Sequence, residues 1–299
     1  MYLAIPVVKP IAARKLALGD GEGTKGYLFE GQFAYRFVIY QGKYYSYPFL
    51  QKLRTTFDVS LLLRLTRDNK SYPMLPTNNK VGFGVDYLWS KIDKMSDNKS
   101  TLVWTTLQLH HYSNGASDSF FVNSPVQRNN YRAGDFTTNY CRILMNVGSN
   151  SGQKNIVSAS LGYQREIDLG GPLIRSKELA HYYGYDRLLF GFQIATKPRL
   201  VTSSYHNRST SHREKVNIER KRQMTARTEL EHIAGDLSKF AGKNKYRAGW
   251  HTYLTFMPSI TNDVGLLVHT YVGRDYLNMR FDDVVFIGEV GAYVKFNSR

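Results

Sequence analysis

The stretch Leu107-Gln-Leu-His-His-Tyr-Ser-Asn-Gly-Ala-Ser-Asp118 puts a histidine and a serine two residues apart, at His111 and Ser113. In an extended strand that spacing sends both side chains to one face. There an imidazole can take the hydroxyl proton and leave oxygen as a nucleophile. The same face carries Val103, Leu107 and Leu109, and a polar pair among apolar side chains is costly unless its members satisfy each other. Downstream, Asn139 shares its alternation with Cys141, Ile143, Met145 and Val147. If these two strands are neighbours, Asn139 can stand beside His111 and fix its ring through the second nitrogen. That is the logic of a catalytic triad with an amide in place of the carboxylate. Asn129 and Asn130 are rivals for the role, but they fall between strand patterns. The bland alternative is a hairpin turn at Asn114-Gly115, with His and Ser at an aromatic-rich strand end by chance.

The elements that must hold these residues are strands. Apolar residues recur at every second position along most of the chain. Phe286, Val290, Ala292, Val294 and Phe296 share one face, and Ile287, Glu289, Tyr293 and Lys295 the other. Phe57, Val59, Leu61 and Leu63 alternate with Asp58, Ser60 and Arg64, and Tyr27, Phe29, Phe33, Tyr35, Phe37 and Ile39 align in the same way. The sequence holds 22 Tyr, 16 Phe and 24 Gly, and no run of apolar residues long enough for a membrane-spanning helix. Long aromatic faces with charges opposite them describe an all-β, transmembrane antiparallel barrel, lipid outside and polar within, rather than a soluble sandwich. About eleven strand patterns can be counted, and barrels that close with even numbers make twelve the expected count.

Residues 1–25 read as an N-terminal extension and 26–299 as the barrel. The first residues, with no basic start and an interruption at Pro6, do not have the form of a secretory signal. The single cysteine, Cys141, excludes an intramolecular disulfide. The net charge of +16 is spread through the chain without a nucleic-acid-binding motif. Nucleic acid is therefore not an expected partner, and anionic lipid phosphates are. Between residues 206 and 245 the pattern changes to a long basic insertion containing Arg220-Lys-Arg222. Ala226, Leu230, Ile233, Leu237 and Phe240 recur at steps of three and four, and Ser211 and Glu214 have capping-box spacing. The expectation is a partly helical extramembrane segment, able to contact lipopolysaccharide or a protein.

His111-x-Ser113-Asn114-Gly115-x-Ser117-Asp118, with Asn139 entering the next strand, resembles the signature of the outer membrane phospholipase A family. The similarity extends through Tyr183–Phe192, Ile260–Val264, Thr270–Gly273 and the closing strand, over roughly the C-terminal two-thirds of the chain. The resemblance implies a twelve-stranded, calcium-dependent barrel of the bacterial outer membrane, activated as a homodimer and acting on membrane phospholipids. It assigns Ser113 as nucleophile, His111 as base, Asn139 as orienting residue and the Gly115 amide as oxyanion donor. It places calcium at the Ala116 carbonyl and the Asp118 carboxylate, with Asp135 where the family uses a hydroxyl. The chain departs from the family in a longer loop between Ser113 and Asn139 and in the residues flanking Asn139, here Thr137, Thr138 and Tyr140.

The function expected is serine hydrolysis of phospholipid acyl esters, of the phospholipase A1/A2 type, on the lipid-facing wall. Two rivals remain: a lipid A deacylase, and a non-enzymatic barrel working as pore, adhesin or scaffold through residues 206–245. Weaker patterns accompany these. Gly19-x-Gly21-x-Gly23 reads as a turn, and His110, His251 and His269 fall on polar faces as lumen residues. Glu289 and Lys295 could form a lumenal charge pair.

Overall fold

The structure is a computed structural model that describes residues 2–12, 27–42, 48–66, 77–94, 99–122, 128–130, 134–151, 155–170, 173, 175–179, 182–196, 199–206, 215–237, 247–258, 264–276, 281 and 284–294. Its strands are β1 (Tyr2–Ala12), β2 (Tyr27–Gln41), β3 (Leu53–Thr66), β4 (Asn78–Lys94) and β5 (Lys99–Ser113). Two short strands follow, β6 (Phe121–Val122) and β7 (Arg128–Asn129). Then come β8 (Thr137–Ser151), β9 (Asn155–Ile167), β10 (Asp186–Thr196), β11 (Arg199–His206) and β12 (Lys215–Ile233). The chain ends with β13 (Ala248–Met257), β14 (Val264–Arg274) and β15 (Val284–Val294).

Hydrogen-bonded neighbours run β10-β9-β8-β5-β4-β3-β2-β1-β15-β14-β13-β12, and β12 pairs again with β10. That path visits twelve strands and returns to its start, all of them antiparallel. A ring of this kind leaves no strand edge within it to be satisfied by solvent.

Two of its members are not the ones expected. Tyr2–Ala12, read as part of an extension, pairs with β15 and, over three residues, with β2. Pro6 lacks an amide hydrogen, and register shifts beside it at Pro6/Val8 and Val8/Ile11 accommodate the interruption. The second correction concerns the basic insertion: Lys215–Ile233 is a strand, not a helix. Ala226 and Leu230 are four apart, a spacing that fits both a helical face and every second step of a strand. The residues between them settle the period, because Arg227, Glu229 and Glu231 line the lumen while Met224 and Leu230 face out. Ser211, Glu214 and Phe240 lie outside the described residues, as do Lys295 and the Gly19–Gly23 run.

The first eight residues of β12 pair with β11 beyond the ends of β10 and β13. This hairpin projects from the rim that also holds Tyr2 and Val294, opposite the rim bearing the end of β5. The basic segment and the His111 region therefore stand at opposite rims of the barrel.

Polarity is inverted relative to a water-soluble protein. Phe37, Phe83, Leu107, Ile143, Leu161 and Leu266 are among the large apolar side chains exposed on the outer wall, with Leu161 64% accessible. Indoles there are satisfied within the wall: Trp89 donates to Thr105 Oγ1 at 2.6 Å, and Trp250 donates to Thr228. The interior is charged. Arg64 bonds Glu30 at 2.8 Å and both oxygens of Asp275 at 2.9 Å, and Arg187 bonds Glu166 at 2.6 Å and Glu231 at 2.8 Å. Gly82 makes room for this filling, since a Cβ there would lie 2.7 Å from the His110 ring. A lumenal cavity of about 670 Å³ is lined by Arg36, Arg54, Asp86, Arg142 and Arg227 among others. At the rim near Ser113 the aromatic side chains of Tyr112, Phe120, Phe136, Tyr140 and Phe281 pack together with Leu179.

Candidate active site

β5 and β8 are paired neighbours, and their register sets His111 directly opposite Asn139 and Ser113 opposite Thr137. On the other side of β5, β4 places Val81 opposite His111 and Phe83 opposite Leu109. Because side chains alternate, His111, Ser113 and Asn139 share the outer face with Leu107, Leu109, Ile143 and Met145, and all four of these apolar residues are exposed. They form an apolar track that leads to the histidine from the middle of the wall.

His111 Nδ1 lies 2.9 Å from Asn139 Oδ1. The Asn139 Nδ2 group donates to the carbonyl of Leu173 at 2.5 Å. That second bond decides the first. A carbonyl only accepts, so the amide NH2 must face Leu173 and the amide oxygen must face the ring. An oxygen acceptor then requires the hydrogen on Nδ1 and leaves the lone pair on Nε2. Asn139 is fully buried, which holds this orientation against exchange with water. Ser113 stands on the same face two residues along, and among the described residues no side-chain hydrogen bond joins it to His111.

The Leu173 carbonyl is supplied by the loop between β9 and β10. That loop is pinned to the start of β8 by Ser176, whose amide donates to the Thr137 carbonyl at 2.9 Å. Its Oγ accepts from the Thr137 amide at 3.0 Å. Sequence reasoning missed both Leu173 and Ser176, since a backbone carbonyl in an irregular loop leaves no residue-type signal. Deeper in the same loop, burial pushes the Tyr183 and Tyr185 hydroxyls above the usual phenol range, so both stay neutral.

After Ser113 the chain turns on Asn114, which is buried. Its Nδ2 donates to the Gly134 carbonyl at 2.7 Å, and its Oδ1 accepts from the amides of Ala116 and Phe136, both at 3.1 Å. Gly115 follows with φ of 67°, a left-handed conformation that favours glycine. Asp118 and Gly134 form a parallel bridge, and the Asp135 amide donates to the Asp118 carbonyl at 2.8 Å. Ala116, Asp118 and Asp135 are thereby gathered on adjoining segments beside Ser113. Their donors are a carbonyl and two carboxylates, all oxygen, a set that fits a hard cation such as calcium. Asn130 is engaged elsewhere, with its Nδ2 donating to the Ser119 carbonyl at 3.2 Å.

The inverted polarity, the closed ring and the His–Asn pair on its outer wall define the class: an antiparallel β-barrel whose candidate chemistry faces outward. More narrowly, the chain has the fold of outer membrane phospholipase A. It matches that protein from Escherichia coli with a TM-score of 0.52 at 14% identity, over 98% of this chain and 89% of the other. An active-site mutant of the same protein at pH 6.1 matches with a TM-score of 0.53. The calcium-bound dimer of the Salmonella typhi phospholipase matches with a TM-score of 0.53 at 13% identity and the same coverage. No protein-family model matches the sequence, and neither does any curated protein. At these identities the likeness speaks for the fold alone.

Proposed function

We propose that this protein is an outer-membrane serine hydrolase that cleaves acyl esters of phospholipids on its lipid-facing wall. The observation that carries the reading is the His111–Asn139 hydrogen bond, at the head of the exposed apolar track of Leu107, Leu109, Ile143 and Met145. A structural histidine would gain nothing from facing hydrocarbon, whereas an esterase acting on lipid needs its base there. The exposed belt fits a barrel solvated by acyl chains, and the neighbouring structures are outer-membrane enzymes, which favours the bacterial outer membrane as its location.

In this reading the acyl chain lies along Leu107, Leu109, Ile143 and Met145, and its ester carbonyl arrives at Ser113. His111 Nε2, left basic by the Asn139 acceptor on Nδ1, takes the Ser113 proton as oxygen attacks the carbonyl carbon. The imidazolium returns that proton to the departing alcohol, leaving an acyl-serine. Water, deprotonated by the same nitrogen, releases the fatty acid. The Gly115 amide donates to the oxyanion. Ala116, Asp118 and Asp135 would hold calcium, which when bound supplies positive charge beside the developing oxyanion. A homodimer fits the reading, since one of the similar structures is a dimer.

The test is fatty-acid release from phospholipid–detergent micelles, with calcium or with excess chelator, for wild type and Ser113→Ala. Calcium-dependent release that the variant loses supports the reading. Release from lipid A but not from phospholipid would reassign the substrate, and no release from folded protein under either condition would overturn hydrolysis altogether.

A further inference from the structure

Glu30 on β2, His269 on β14 and Glu289 on β15 form a second cluster inside the barrel, on the opposite face of the wall from the outward-facing His111. Each offers a ligand atom, and these atoms lie within 4.8 Å of one another. All three side chains are buried, at 0%, 0% and 1% exposure. His269 and Glu289 are directly opposite in the β14–β15 ladder, with Nδ1 2.9 Å from Oε2. The other oxygen of Glu289, Oε1, is buried with no protein hydrogen-bond partner.

Arg64 serves two carboxylates, Glu30 and Asp275. Among the described residues no lysine or arginine pairs with Glu289, whose one ion-pair partner is His269. A buried carboxylate oxygen with no partner is costly. Two carboxylates and an imidazole around it are the donor set that borderline divalent ions select, because imidazole suits zinc, iron or nickel and poorly suits calcium. The supports of such a site are also present. Tyr276 OH donates to both Glu30 oxygens at 2.9 Å, and His251 Nδ1 is 3.1 Å from His269 Nε2.

We propose that Glu30, His269 and Glu289 bind a divalent transition-metal ion within the barrel, with Glu289 Oε1 as a ligand. Its place in the topology gives it a task. β1 lies between β2 and β15, with Ala4 opposite Glu30 and Pro6 opposite Glu289. Among the described residues the β1–β2 seam has three register pairs, fewer than the other ring seams, and an ion held by β2, β14 and β15 spans that junction.

The experiment is metal titration of the folded, detergent-solubilised protein with zinc or manganese, read by elemental analysis after removal of free metal in excess calcium. Wild type should retain about one equivalent, and its unfolding temperature should rise on loading. Glu289→Gln, isosteric and uncharged, should lose both effects, while Asp118→Asn at the rim should keep both. If Glu289→Gln does not fold, the wild-type titration decides alone. No retained metal on wild type, as expected if a proton or a water fills the space, overturns the proposal. Equal retention by wild type and Glu289→Gln does so too.

Discussion

Replacing Asn139 by alanine removes two hydrogen bonds at once, the acceptor for His111 Nδ1 and the donor to the Leu173 carbonyl. The imidazole then keeps its position in β5 but loses the contact that fixes its tautomer and ring angle. A hydrogen bond of this kind is worth about 1–3 kcal/mol when a buried partner is left unmet. At 1.36 kcal/mol per decade that predicts a fall in kcat of roughly 5- to 150-fold. The loss should be smaller than the roughly 10⁴-fold seen when a triad carboxylate is neutralised, because an amide has no charge with which to stabilise the imidazolium. KM should hardly move, since the acyl track of Leu107, Leu109, Ile143 and Met145 is untouched. The assay is fatty-acid release from mixed micelles across a range of phospholipid surface concentration, with circular dichroism to show that the variant is folded. A change in kcat of less than about twofold, or a loss confined to KM, would refute the role assigned to Asn139.

Other perturbations separate the parts of this account. Ser176→Ala removes the acceptor for the Thr137 amide and frees the loop that presents Leu173, so kcat should drop by about 2- to 10-fold, a loss of roughly 0.5–1.5 kcal/mol. Val268→Arg, at an exposed position midway along β14, should destabilise the barrel by about 2–4 kcal/mol in lipid-based unfolding if the outer wall faces hydrocarbon. Gln193→Arg, beside the lumenal cavity, should cost clearly less. Replacing residues 199–222 with a short turn should leave both folding and hydrolysis near wild type, because Thr196 and Met224 already meet at the base of the projecting hairpin. Loss of hydrolysis in that deletion would tie the two rims together in a way the pairing does not suggest.

Most of the barrel is legible in the sequence because each strand states its own two faces. Phe286 and Val290 are exposed and Ile287 and Glu289 buried, as their alternation predicts. The strands that escaped did so for local reasons. β1 contains Pro6, and β12 repeats its apolar residues at a spacing that two periods share. The alternating charges at Arg227, Glu229 and Glu231, and the pairing of β12 with both β10 and β13, decide between them. In the site, residue parity was enough to bring His111 to Asn139. The Leu173 carbonyl and the Ser176 clamp were not legible, since both are loop contacts made to residues 34 and 39 positions away. Glu289 has the lumenal role expected of it, but its described partner is His269, one strand away.

The buried pairing of Arg64 with Glu30 has a consequence for how the chain assembles. These residues are directly opposite in the β2–β3 ladder, and a slip of one residue would turn the shifted strand's faces over. A misregistered β3 would carry Arg64 to the apolar outer wall and bring Phe57 and Leu61 into a charged interior. The lumenal ions thus act as a checksum on strand alignment. An apolar outer wall would tolerate many wrong alignments of similar energy, and the charges it encloses leave one that is acceptable.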